Sequence, residues 1–198
     1  MKFEKTQTYQ NLARAFAGEC QAGMRYQMVA KLAMDEGLKT LSDKIRAIAK
    51  NETVHATQFF QQFLGLGGNK EDVQIDAGYP FHLGTLAEGL KFSEGDEKSE
   101  ATKIYPSFAD IAKEEEFLDV ERLFRQIAEV EHHHEAIFRY LANAVKNGTL
   151  YQNDSPVLWV CSECGYQHVS TQAWKTCPLC KAKQGYVELH LPFEGVTK

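Results

Sequence analysis

A Glu-x-x-His pair on a helix projects a carboxylate and an imidazole from one face, about a turn apart. This chain contains two such pairs in matching settings: Arg46-Ala-Ile48-Ala49-Lys-Asn-Glu52-Thr-Val-His55 returns, at a constant offset, as Arg125-Gln-Ile127-Ala128-Glu-Val-Glu131-His-His-His134. Leu41, Ile45 and Ile48 lead into Glu52 and His55, and Phe59 follows. Val120, Phe124 and Ile127 lead into Glu131 and His134, and Phe138, Leu141 and Val145 follow. A lone pair of this kind is ordinary on a solvated helix face. Two pairs centred on otherwise apolar seams are not, because a buried carboxylate costs several kcal/mol unless it is paired, protonated or bound to a cation. Bound metal is the simplest resolution. Glu129 and His132 share the spacing but not the seam, and His133 and Glu135 also fall off it, which predicts exposure or a supporting role for these two.

Four helices must position these groups. The first is predicted from about Thr6 to Asp35, with a seam of Leu12, Phe16, Glu19, Gly23, Tyr26, Ala30 and Ala33 and a stop at Gly37. Glu19 is the one acid on that seam. Cys20, one position away, reads as a small, partly buried residue rather than a reactive thiol. The second helix runs from about Leu38 to Leu64 and ends at Gly65-Leu-Gly67-Gly68-Asn69, before an aperiodic crossover to about Phe81. The third, about Leu83 to Lys113, has a seam of Leu83, Leu86, Leu90, Ser93, Glu97, Glu100 and Ile104 that slips by one residue to reach Phe108 and Ile111. A one-residue surplus is commonly absorbed as a π-bulge, and Pro106 predicts a distortion in the same place. Glu19 precedes Tyr26 by seven residues, whereas Glu97 precedes Tyr105 by eight, which also locates the surplus. Glu94 competes with Glu97 and Glu100 but lies off the preferred seam. Glu114-Glu-Glu116 reads as a solvated turn, and the fourth helix spans about Leu118 to Lys146 and closes at Asn147-Gly148.

The chain has 198 residues, 43% hydrophobic and 25% charged, with a net charge of -5. These values suit a soluble globular protein of one large or two unequal domains. They argue against nucleic acid as a partner, since no basic stripe is present. No stretch has the length of a membrane span and the N-terminus lacks a signal peptide's apolar core, so the expected location is the cytoplasm.

Beyond a short linker at Asp154-Ser155-Pro156, Cys161 and Cys164 form one Cys-x-x-Cys knuckle and Cys177 and Cys180 another. Together they can wrap one tetrahedral metal with four thiolates. A module this small cannot be held by burial alone, so the metal should organise it. Spacing does not choose between iron and zinc. Trp159, Tyr166, Trp174 and Tyr186 are the expected small aromatic core, and His168 and His190 are read as surface residues. The division predicted is a bundle over 1–150 and a four-cysteine domain over 156–198.

A short–long–short set of connections, with one Glu from each of two helices and Glu-x-x-His from each of the others, is the pattern of ferritin-like di-metal bundles. Glu19, Glu97, Glu52/His55 and Glu131/His134 fill it, and Glu100 is a seventh candidate. Mostly oxygen ligands with one imidazole per metal favour iron or manganese over zinc or copper. Tyr26 and Tyr105 lie near these residues and either hydrogen-bond them or simply fill the core.

The chain as a whole resembles the rubrerythrin family: a ferritin-like bundle followed by a rubredoxin-like tail. The resemblance rests on Ala15-Phe-Ala-Gly-Glu19, both Glu/His pairs, Tyr105-Pro106-Ser-Phe108-Ala109, Cys161-x-x-Cys-Gly-Tyr and Cys177-Pro-Leu-Cys180. It implies that Glu97 and Glu100 are both di-iron ligands and that Glu100 and His55 exchange at one iron on redox change. The family usually has Gly immediately before the first of these acids, where this chain has Asp96, with Gly95 one residue earlier. It implies a di-iron centre and one iron in the four-cysteine site, with zinc as the alternative there in recombinant material. The implied activity is peroxidase: hydrogen peroxide is reduced to water in oxidative-stress defence, with electrons from NAD(P)H through a separate reductase or rubredoxin. Alternatives are a ferroxidase or iron-handling protein, and a non-catalytic metal-binding bundle with a zinc-ribbon docking module. A thirty-residue helix is about 45 Å long, so a tail at its end lies far from a site at its middle. A head-to-tail homodimer, in which each tail serves the partner's di-iron site, follows as an expectation.

Overall fold

The computed structural model describes residues 2–68 and 72–191. Asn69, the last residue of the predicted second-helix stop, lies outside them, as do residues 192–198 of the predicted C-terminal domain. After a 3-10 turn at Phe3–Lys5, α1 (Gln7–Asp35) and α2 (Lys39–Gly65) form one helical hairpin. Thr6 caps α1, its side chain accepting from the Tyr9 N–H. Residues 72–84 cross over without regular structure. A capping box of Thr85 and Glu88 then starts α3 (Leu86–Ser99).

The predicted third helix is one rod in three parts. A π segment (Glu100–Ile104) follows α3 directly and passes into α4 (Tyr105–Glu114). The Tyr105 N–H bonds the Glu100 carbonyl, five residues back, which takes up the surplus residue. Pro106 falls in the first turn of α4, where a missing N–H costs little. The slip comes earlier than the sequence seam placed it. Tyr105, Ala109 and Ala112 are buried, while Phe108 and Ile111 are only half-buried. The final helix, α5 (Leu118–Asn147), ends at Gly148 in the left-handed region (φ 67), a conformation suited to glycine.

Two apolar clusters fill the bundle. One holds Tyr26, Leu41, Ile45, Leu90 and Phe138; the other holds Leu12, Phe59, Tyr105, Val120 and Phe124. Leu41 and Ile45 precede Glu52/His55 on α2 and Phe59 follows, so the polar positions lie between two apolar plugs. On α1 the predicted seam is buried apart from Phe16, which is half-buried, and Ala15 is buried beside it. Cys20 is exposed, one step outside the seam, rather than partly buried. Partial desolvation by its surroundings and the neighbouring Glu19 charge raise its pKa, which disfavours a reactive thiolate.

At the C-terminus, β1 (Gln152–Val160) and β2 (Gln167–Gln172) pair antiparallel, with Trp159 opposite His168. Asp154–Pro156 is therefore not a free linker: it lies in β1, at a register break between Gln152 and Val157. Trp159, Ala173, Val187 and Leu191 join the first apolar cluster of the bundle, so the module is docked on its own four helices. Thr40 Oγ1 donates to the Val187 carbonyl at 2.7 Å. A Cβ on Gly185 would stand 1.8 Å from the Gly37 carbonyl oxygen, so the α1–α2 turn and the module approach backbone to backbone. Tyr166 and Trp174 meet edge-on at 5.2 Å, Tyr186 is half-buried, His168 is exposed, and His190 stands against Trp159. Among the described residues no helix is long and apolar enough to cross a membrane.

The acidic turn before α5 is not merely solvated. Glu115 accepts from the Gln7 N–H at 2.9 Å, the Thr8 N–H at 2.8 Å and Thr8 Oγ1 at 2.6 Å. Its anion thus closes the N-terminus of α1 from across the bundle. Burial opposes ionisation of Glu115, but these hydrogen bonds outweigh it and hold the carboxyl below the usual range. A lowered folded-state pKa means that the contribution is complete above the unfolded value, near 4.5, and fades as pH falls through the folded one. Glu115→Gln is expected to cost about 1 kcal/mol at neutral pH. In urea unfolding the gap from wild type should narrow as pH drops below 4; a gap independent of pH would contradict the assignment.

Candidate metal centres

Between the two plugs, the four helices bring Glu19, Glu52, His55, Glu97, Glu131 and His134 together. The four carboxylates are at most 1% exposed and the two imidazoles at most 8%. They form two sets that could each hold a metal ion: Glu19, Glu52, His55 and Glu131, and Glu52, Glu97, Glu131 and His134. Glu52 and Glu131 belong to both. His55 Nδ1 lies 3.1 Å from Glu52 Oε2, 2.9 Å from Glu131 Oε1 and 3.6 Å from Glu19 Oε2. His134 Nδ1 lies 3.1 Å from Glu52 Oε1, 2.8 Å from Glu131 Oε2 and 3.7 Å from Glu97 Oε2. Glu52 and Glu131 thus turn one oxygen to each set, as bridging carboxylates do. Glu19 and Glu97 each belong to one set only.

Donor chemistry agrees with cations in both positions. Glu52 Oε1, both oxygens of Glu97, both oxygens of Glu131 and His134 Nδ1 are buried without a hydrogen-bond partner, a situation that a metal resolves and an apolar core does not. Without cations the groups compensate with protons. Burial, then neighbouring acid charges, raises Glu97 well above the usual carboxylate range. Burial raises Glu19 too, against the opposing effect of the nearby His55. Burial works against a charged His55, but contacts with Glu131, Glu19 and Glu52 outweigh it and push the imidazole up to about 12; His134 is raised in the same way. Glu52 is held down to about 2, its burial outweighed by the two imidazoles.

The tyrosines work across the halves. Tyr105, on α4, donates to Glu19 Oε1 on α1. Tyr26, on α1, is raised by burial and by the charge of Glu97 on α3. Sequence placed both tyrosines near the ligands; Tyr105 finds its partner in the other half of the repeat, whereas Tyr26 Oη is buried without a hydrogen-bond partner. Glu100 is outside both metal sets. It sits half-buried on the π segment in the wall of a 490 Å³ cavity shared with Tyr105, and burial followed by the Glu97 charge raises its carboxyl. Glu94 points elsewhere, to Lys91 at 2.7 Å, so of the competing acids Glu97 reaches the cage. His132 and His133 are exposed. Glu135 is 3% exposed and pairs with Arg139, so it is a buried structural acid away from the metal sets. The ion pair of Arg25 with Asp96, next to Glu97, gave no periodic sign in the sequence.

The second centre is the four-cysteine cluster. Sγ atoms of Cys161 and Cys180 are 3.8 Å apart, and those of Cys164 and Cys177 3.7 Å. A tetrahedron with metal–sulfur bonds of about 2.3 Å has edges near 3.8 Å, so the thiolates are spaced for one ion. Gly165 (φ 73) and Lys181 (φ 66) follow the second cysteine of each knuckle in the same left-handed conformation.

A four-helix bundle with two Glu/His metal sets sharing bridging carboxylates, fused to a tetrathiolate module, defines a ferritin-like di-metal carboxylate protein. Comparisons narrow this class. The family model described as rubrerythrin matches residues 10–142, and that of the rubrerythrin rubredoxin-like domain matches residues 159–188. A rubrerythrin of Clostridium perfringens is 40% identical over 185 residues, covering 93% of this chain and 94% of that one. Among solved structures, nigerythrin in a partially reduced state aligns with a TM-score of 0.60 at 22% identity, over 96% of this chain and 94% of that one. A bacterioferritin of Desulfovibrio desulfuricans aligns at 0.64 and 22% identity, over 72% of this chain and 82% of that one. The chain belongs to the rubrerythrin family, and it carries a di-iron carboxylate–histidine site and a rubredoxin-like four-cysteine site.

Two outcomes test the cage. Metal loading should release roughly one to two protons per cation at neutral pH, because His55, His134, Glu19 and Glu97 surrender protons to bind; affinity therefore falls with acid. Calorimetry in buffers of unlike ionisation enthalpy measures this, and identical heats would contradict it. Glu131→Ala should lose both ions and Glu19→Ala mainly one, as counted by metal analysis.

Proposed function

We propose that the protein reduces hydrogen peroxide to water at the di-iron site, with electrons entering through the four-cysteine iron. The observation that carries this reading is the docking of an electron-transfer module onto the bundle that holds the cage. Ferroxidase chemistry needs only the cage, and the closed cage is all that speaks for it. The ligands assigned are Glu19, Glu52, His55, Glu97, Glu100, Glu131 and His134 for the di-iron site, and Cys161, Cys164, Cys177 and Cys180 for the single iron. In the ferrous state the two irons supply the two electrons that breaking an O–O bond requires.

The protein's part is positioning. Glu52 and Glu131 fix the separation of the two sets, Tyr105 holds the Glu19 carboxylate in orientation, and the apolar plugs keep bulk water from the buried donors. Glu100, on the cavity side, is assigned as the further ligand that would exchange with His55 at one iron. Reducing equivalents are assigned to an NAD(P)H-dependent reductase or a rubredoxin, and the setting to the cytoplasm. The module meets α2 near Thr40, twelve residues and so roughly 18 Å of helix from Glu52. That gap favours a head-to-tail homodimer in which the tail serves the partner's site. The functional units are taken as 1–150 and 156–198.

Reduced protein mixed anaerobically with peroxide, or with oxygen, in a stopped-flow instrument should be oxidised faster by peroxide. Equal or faster oxidation by oxygen would favour the ferroxidase. Glu100→Ala should slow the peroxide step roughly tenfold or more while leaving the tetrathiolate spectrum intact. Cys161→Ser should abolish NAD(P)H-linked turnover but spare a single turnover of pre-reduced enzyme. A fully active monomer in sedimentation would refute the cross-subunit route.

A further inference from the structure

The cavity beside Glu100 is much larger than hydrogen peroxide requires. Its 490 Å³ compares with about 30 Å³ for a water molecule and falls within the roughly 300–1,000 Å³ of organic-ligand pockets. Its wall includes Tyr105, which is 1% exposed and bonded to Glu19, and Glu100 of the π segment. Ala15, Ile104 and Phe108 add apolar surface. The crossover lies along the other side, tied to α1 by Tyr79 Oη donating to the Arg14 carbonyl at 2.9 Å and by Gln21 Nε2 donating to the Pro80 carbonyl.

Charge distinguishes the outer end. Arg25 is neutralised by Asp96 at 2.5 Å. Arg14 is half-buried in the same wall, and its polar contacts are neutral: Nε donates to the Asp76 carbonyl at 3.0 Å and Nη1 to Asn11 Oδ1 at 3.2 Å. Among the described residues no carboxylate lies within ion-pair distance of Arg14, and its Nη2 has no partner. Exposed Lys103 adds a second positive charge to the lining. A guanidinium fixed by two neutral acceptors at the rim of an apolar cavity, with a free edge, is a receptor for a carboxylate.

We infer that the cavity admits organic hydroperoxides bearing a carboxylate, with the anion on Arg14 and the hydroperoxide directed toward Glu100 and the di-iron site. This extends the peroxide-reductase reading and rests on it. The balanced step is ROOH plus two electrons and two protons giving ROH and water. The O–O bond breaks, the electrons come from the reduced di-iron centre, and the alcohol remains in the cavity until it dissociates.

Iron-loaded full-length protein assayed with hydrogen peroxide, cumene hydroperoxide and the para-carboxylate of cumene hydroperoxide tests this. In parallel, the unreactive alcohol product of the carboxylated compound is titrated by calorimetry. The carboxylated hydroperoxide should exceed the neutral one about tenfold in kcat/KM, the scale of a charge-assisted contact. Arg14→Gln should erase that advantage and weaken alcohol binding to a similar extent, Arg14→Lys should retain most of both, and hydrogen peroxide turnover should be unchanged in both variants. No preference for the carboxylated compound, or alcohol binding that is absent or indifferent to Arg14→Gln, overturns the inference. Should hydrogen peroxide itself not be turned over, the peroxidase reading fails, and the titration still decides whether the cavity is an Arg14-dependent anion site.

Discussion

Four carboxylates and two imidazoles are buried together between two apolar plugs, and that arrangement dictates most of the rest. Each carboxylate placed there alone would cost several kcal/mol. Either protons or divalent cations must balance the group, and in their absence the imidazoles and the terminal acids take up protons. The plugs make the cage possible by holding the helices independently of it: Tyr26, Ile45 and Phe138 on one side, Leu12, Phe59 and Phe124 on the other. Donors held this way need little rearrangement on binding, which is the usual condition for a precise metal site.

Two halves of similar sequence build the cage, and their difference gives it a direction. Glu52 and Glu131 are equivalent, as are the imidazoles that stack at 5.9 Å. The symmetry fails at the π segment. One extra residue between Glu97 and Tyr105 shifts the register of the rod, so that Tyr105 reaches Glu19 while Glu100 is brought to the wall of the cavity between the rod and α1. The crossover completes this asymmetry by lying along α1 beside the same cavity. The difference between the two sides of the cage thus arises from a single inserted position.

The tetrathiolate module is part of the same solid. Trp159 and Val187 share an apolar cluster with Leu41 and Phe138, and the contact of Gly185 with Gly37 leaves no room for a side chain. The position of the four-cysteine site relative to the bundle is therefore fixed by packing rather than by a tether. Helix geometry then sets a long distance between the two centres of one chain.

Periodicity made much of this legible. The repeated Glu-x-x-His on apolar seams, the lone Glu19, the short and long connections and the two cysteine knuckles determined the helical bundle, the six residues that the cage brings together and the tail, whereas Glu100, read with them, lies outside both sets. Spacing along one helix is a local property, and a metal site made of helix faces is written in it. What the sequence could not decide is everything that depends on which face meets which. Tyr105 pairs with Glu19 rather than with its own helix's acid, Glu115 closes α1 from a turn that reads as solvated, Glu135 is buried on an ion pair, and Asp154–Pro156 is strand instead of linker. The Arg14 rim and the Arg25–Asp96 pair likewise exist only once the crossover and the π-shifted rod are laid against α1. These partners are distant in sequence, carry no periodic mark, and are selected by three-dimensional packing alone.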